Sequence, residues 1–187
     1  GCEPARAACL GHLALAEALR GRLRRAAMLA EQAATTCAGE GQLPPVRHSN
    51  PAALVALAWV HLEHHELKQT RSRLQQLHAV LEASPDKLIA AIACLIAAYS
   101  ALAEGRDDMA VQSVARARSG WQVPAWLEHE LGLVESRASV ATGKIRAAFA
   151  DAEPASQHSS LEATVILAHA RMAAGDAGLP VALHDLF

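Results

Sequence analysis

Aromatic residues are nearly missing from this 187-residue chain, where three Trp, two Phe and one Tyr make up 3%. Branched apolar residues are also scarce, at 11 Val and 5 Ile. Strands draw on those two groups, so a β-sandwich, a barrel or a parallel-sheet α/β enzyme is excluded. Charge of one sign is lacking as well. Seventeen Lys+Arg stand against 19 Asp+Glu, a net charge of -2, which is not the basic footprint of a domain that neutralises phosphates by itself. The four cysteines (Cys2, Cys9, Cys37, Cys94) never fall in a C-x-x-C spacing. Neither a disulfide framework nor a zinc ribbon is therefore implied, and a reducing cytoplasm is the expected compartment. No signal peptide is read at the start, because Glu3 and Arg6 interrupt any early apolar run. The most apolar stretch, Leu88–Ala103, has 16 residues between Asp86-Lys87 and Glu104-Gly105-Arg106. A membrane span needs roughly 20 apolar residues, so this one reads as a buried helix and no membrane is expected.

What fills the chain instead is alanine and leucine, 43 and 25 residues, the two strongest apolar helix formers. Apolar positions recur at i, i+3, i+4 and i+7 between breakers, the period of an α-helix. The breakers lie at Gly39–Pro51, Ser84-Pro85-Asp86, Ser119–Pro124 and Pro154–Ser160. Asn50-Pro51 and Ser84-Pro85 each place a capping side chain ahead of a proline, the chemistry of a helix start.

A weaker break recurs inside each block, at positions 21, 65, 105, 143 and 175. Four of these carry glycine and position 65 carries His, with spacings of 44, 40, 38 and 32 residues. Charged residues follow, and a small residue stands five positions on in the first four blocks: Ala26, Thr70, Ala110 and Ala148. Seven further are Ala33, Leu77, Ala117 and Ala155. A glycine that turns the chain and a small residue that lets the second helix approach the first are the marks of a helical-hairpin solenoid. The alternative is an irregular bundle whose glycines merely end helices. The repeat reading predicts an all-α, right-handed, tetratricopeptide-like superhelix of four to five antiparallel helix pairs. The chain is then a single solenoid, with approximate repeats 4–38, 50–84, 86–119, 124–156 and 159–187. The first helices fall near 5–20, 51–64, 86–104, 125–142 and 160–174.

Four segments carry a family resemblance: L-A-W-V-H-L-E-H-H-E-L-K-Q-T-R-S-R-L (Leu57–Leu74), S-P-D-K-L-I-A-A-I-A-C-L-I-A-A-Y (Ser84–Tyr99), L-A-E-G-R-D-D-M-A (Leu102–Ala110) and A-R-S-G-W-Q-V-P-A-W-L (Ala117–Leu127). In this order they resemble the helical-repeat region of large ATP-binding LuxR-type transcription regulators, the MalT-like class common in actinobacteria. The resemblance covers residues 50–155 best. It implies a sensing or interaction segment that works with a nucleotide-binding module before it and a DNA-binding helix-turn-helix after it. This chain itself has no G-x-x-x-x-G-K-[ST] loop and no basic recognition-helix pair. It thus looks like an excised segment, and the rival reading is a free-standing tetratricopeptide-type scaffold for protein–protein contact.

No catalytic chemistry stands out. Neither G-x-S-x-G nor a serine–lysine motif occurs, and no cofactor is implied. His61, His64 and His65 with Glu63 and Glu66 form the one metal-like cluster. His61 and His65, four apart, would share a helix face, but H-L-E-H-H-E-L is not a zinc-protease pattern and no third ligand shows, so no metal is expected. Arg20, Arg22, Arg24 and Arg25 make the one basic cluster; without interleaved aromatics they read as a solvated face or a contact for a neighbouring domain, and direct DNA binding is not expected. The repeat register points elsewhere. Six positions before the landmarks stand Leu15, Trp59, Tyr99, Arg137 and His169. If first helices line a concave groove, Trp59, Tyr99, Arg137 and His169 make a ladder suited to a small ring-containing polar effector or a protein partner. The alternative is that Trp59 and Tyr99 fill core space. A homodimer through exposed solenoid ends is a further expectation.

Overall fold

The computed structural model describes residues 3–37 and 50–141. Among these there are seven α-helices and no strand: α1 (Glu3–Leu19), α2 (Leu23–Cys37), α3 (Pro51–Glu63), α4 (Leu67–Ala83), α5 (Lys87–Ala103), α6 (Asp107–Arg118) and α7 (Ala125–Ala141). The four first helices expected within this range are present as α1, α3, α5 and α7, each within two residues of its expected ends. The helix expected at 160–174 lies outside the described residues. No described helix is long and apolar enough to cross a membrane.

The chain divides into two compact units, Gly1–Ser100 and Ala101–Phe187, with the division inside α5. In the first unit α1 pairs with α2, α3 pairs with α4, and α3 also packs on both α1 and α2. In the second unit α6 packs on α7.

The turns explain the period. At the end of α1 the Gly21 N–H donates to Ala18 O (2.9 Å) and the Arg22 N–H to Glu17 O (2.9 Å). At the end of α3 the same two bonds run from His65 to Leu62 O (2.9 Å) and from Glu66 to His61 O (2.8 Å). After α5 they run from Gly105 to Leu102 O (3.0 Å) and from Arg106 to Ala101 O (2.8 Å). Each is a Schellman turn, which satisfies orphan carbonyls at a helix end and needs a left-handed residue just past it. That residue is Gly21 (φ 74°), His65 (φ 58°) or Gly105 (φ 69°), the three landmarks read from the sequence.

The next helix starts at once. Arg22, Glu66 and Arg106 accept from the N–H of Ala26, Thr70 and Ala110, so one residue closes the first helix and opens the second. Those three donors are the small residues of the sequence pattern, and all three are fully buried. One helical face further, Ala33, Leu77 and Ala117 are buried too. A left-handed residue followed five positions on by a buried small one is therefore the packing device of all three within-pair turns, with glycine in two of them and His65 in the other.

The starts of the first helices differ. Asn50 caps α3 as expected, its Oδ1 accepting from Ala52 N (2.9 Å) and Ala53 N (3.2 Å) with Pro51 at the first helical position. Its Nδ2 also donates to Ala7 O of α1 at 2.6 Å. A Cβ on Gly11 would lie 2.5 Å from the Asn50 amide, so the missing side chain at 11 makes room for this tie between pairs. The expected Ser84-Pro85 cap is corrected. Asp86 caps α5, its Oδ1 accepting from Ile89 N (3.0 Å), while Ser84 ends α4. A carboxylate three residues before an open N–H satisfies it and also suits the positive helix end, so Asp86 displaces the serine upstream of it.

Candidate interaction surface

The three expected groove residues within the described range fall on the first helix of their blocks, in its last two turns. Trp59 lies on α3 and Tyr99 on α5, both half-buried. Arg137 is exposed on α7. His169 lies outside the described residues. Leu15, at the same phase on α1, is buried, so this register position belongs to the packing interior in the first pair. The half-burial of Trp59 and Tyr99 leaves part of each ring accessible. Arg137 and Tyr99 belong to different units.

The histidine cluster is dispersed by the turn. Helix α3 ends at Glu63, and His65 takes the left-handed turn conformation, so His61 and His65 do not share a helix face. Instead the His61 Nδ1–H points at Glu66 Oε2, 2.6 Å away. Among the described residues no group of three His, Cys, Asp or Glu side chains is placed to hold a metal ion.

The arginine cluster has a partner that the sequence pattern does not reveal. Glu17 is buried (4% exposed), and its carboxylate meets Arg22 Nη1 at 3.4 Å and Arg25 Nε at 3.9 Å. All four arginines are exposed, and two of them, Arg22 and Arg25, compensate an interior charge. The same bridge recurs in the second pair. His61 and Glu66 stand where Glu17 and Arg22 stand in the first, five residues apart across the turn. In the Schellman geometry these two positions are brought together, usually by apolar contact; here opposite polar groups take its place. The third turn lacks the pair, since Ala101 occupies the first position and Arg106 instead bonds Glu104.

In the second unit Arg118 at the end of α6 holds two carboxylates, Glu135 Oε2 at 2.6 Å and Glu128 Oε1 at 2.7 Å, both on α7. Partial burial disfavours its charge, and the bonds to Glu135 and Glu128 more than offset that, so its pKa is raised. A raised pKa keeps the contribution intact below the ordinary arginine value and loses it only at higher pH, so Arg118 stays charged through the neutral range.

Comparison with protein-family models, with curated proteins and with solved structures finds no match to this chain.

Proposed function

We propose that the chain is a tetratricopeptide-like helical-repeat segment that senses an effector or binds a protein partner within a larger transcription regulator of the MalT-like LuxR type. The observation that carries the repeat half of this reading is the identical turn at Gly21, His65 and Gly105, each followed by a buried small residue five positions on. Three such turns at spacings of 44 and 40 residues support a modular array over a bundle with incidental breaks. The packing of α3 against both helices of the pair before it supports a stack of pairs.

The regulator half rests on the resemblance of the segments between Leu57 and Leu127. In this reading the chain performs no catalysis and leaves nucleotide and DNA binding to other modules. The candidate effector contacts are Trp59 and Tyr99 in the first unit, as two aromatic faces for a ring or alkyl surface, and Arg137 and His169 in the second, with Arg137 for an anionic or hydroxyl-rich group.

Two measurements test this. Coding sequence for a nucleotide-binding module and a helix-turn-helix on either side of the native reading frame supports the regulator; a frame without them supports a free-standing scaffold. A thermal-shift screen of sugars, nucleotides and other small metabolites against the purified chain reads effector binding directly, because a ligand of the native state raises the midpoint by mass action. Arg137→Ala is expected to weaken a hit by about 1.5–3 kcal/mol. A hit left unchanged by that substitution removes Arg137 from the site.

A further inference from the structure

The first and second pairs share a turn, and laying one on the other by that turn brings Ala8, Cys9, His12, Leu13 and Ala16 of α1 onto Ala52, Ala53, Ala56, Leu57 and Val60 of α3. Every one of the five is buried on α3 and exposed on α1. The opposite side agrees between the helices: Gly11 and Val55 are both buried, and so are Ala14 and Ala58. The full change from exposed to buried is therefore confined to this one stripe, and α3 carries a packed helix pair that has no counterpart on α1. Helix α3 has α4 and also the whole preceding pair, α1 and α2, packed on it, whereas α1 has α2 and α3. Except for His12, whose ring bonds back to Ala8 O at 2.9 Å, the uncovered stripe is as small and apolar as the covered one. Leu13 stands 42% exposed in the middle of it.

We infer that this stripe of α1 is a docking face for one more antiparallel helix pair of the same build, supplied ahead of α1 by the same polypeptide, which packs on α1 as α1 and α2 pack on α3. The inference rests on the repeat reading but not on the regulator reading: a scaffold made only of helix pairs would cover the face equally. Loss of the regulator reading through the flanking coding sequence leaves it standing.

Cys9 is an exposed free thiol on this face and reports its coverage. The experiment compares maleimide labelling, read peptide by peptide in a mass spectrometer, on the 187-residue chain and on the protein expressed from its complete gene, with half-buried Cys94 as an internal standard. Labelling at Cys9 in the complete protein is expected to be slower by about tenfold or more, since reaction then requires local opening. Leu13→Glu, harmless where Leu13 is exposed, should restore fast labelling in the complete protein. Equal labelling in both proteins overturns the inference, as does protection that Leu13→Glu leaves intact. Protection that appears in the 187-residue chain alone and grows with its concentration assigns the face to a second copy and overturns it too. So does a gene whose frame opens fewer residues ahead of Gly1 than the span Glu3–Cys37 of one pair.

Discussion

The turns at Gly21 and His65 close with the same hydrogen bonds, yet one uses the residue that reaches positive φ without penalty and the other does not. A non-glycine residue in the left-handed region is strained by about 1 kcal/mol, because its Cβ crowds the following carbonyl. The second pair accepts this strain where its packing is heavier. Thr70 and Leu77 stand where the first pair has Ala26 and Ala33, and α3 is buried along almost its whole length. The turn is thus determined by what it joins. Glycine lowers the energy of the conformation, while the burial of the two helices on either side selects it.

That contrast breaks most visibly at the packing residues. Leu77 is fully buried, and Leu77→Ala leaves a cavity, so about 2–5 kcal/mol of stability should be lost in a urea titration. At the equivalent Ala33 there is no comparable volume to remove, and Ala33→Gly should cost only about 1 kcal/mol, through helix propensity. If the two changes proved equal, the second pair would not be the more heavily packed one.

The polar bridges sharpen the comparison at smaller scale. Removing both Arg22 and Arg25 strands the buried Glu17 carboxylate, and the double alanine variant should lose about 1–3 kcal/mol. Glu17→Gln leaves two arginines that are 60% and 57% exposed and can return to water, so it should cost less. In the second pair His61 is 22% and Glu66 44% exposed, and His61→Ala should stay under about 1 kcal/mol. Chemical denaturation of the three variants decides the order. A Glu17→Gln cost above that of the double arginine variant would mean that Glu17 is not held in by its charge.

Much of this architecture was legible beforehand because helix ends depend on local chemistry. Gly21, Gly105 and the Asn50-Pro51 start announce themselves by residue type, and the 3.6 period bounds α1, α3, α5 and α7 to within two residues. The Ser84-Pro85 start misled because two capping residues, Ser84 and Asp86, compete within three positions, and only the three-dimensional reach of Asp86 to Ile89 N decides. Glu17 was not legible as a buried anion: in sequence it is one more glutamate on a helix, and its partners lie across a turn whose geometry brings positions five apart together. The candidate ladder was legible only as a register. Six residues before a turn is a constant phase, but the same phase is interior at Leu15 and open at Arg137, because exposure depends on which helices stack beside each one.

The smallest effects bear most directly on the two turns, and they have opposite signs. A Cβ on Gly21 would meet nothing within 4 Å, so Gly21→Ala adds no clash and its effect is conformational alone, a loss of about 1 kcal/mol. His65→Gly relieves the strain at φ 58°. Against that, glycine gives the unfolded chain more freedom, which takes back part of the gain. The His65 side chain is exposed, and the turn bond is made by its backbone N–H, which glycine keeps. A net gain of about 0.5 kcal/mol is therefore expected, visible as a rise of 1–2 °C in midpoint on the size scaling of small domains. The two variants should bracket the wild-type protein in one thermal-melt series. If His65→Gly instead destabilised the chain, the imidazole would be holding the turn through its side chain, and the two turns would differ in mechanism as well as in residue.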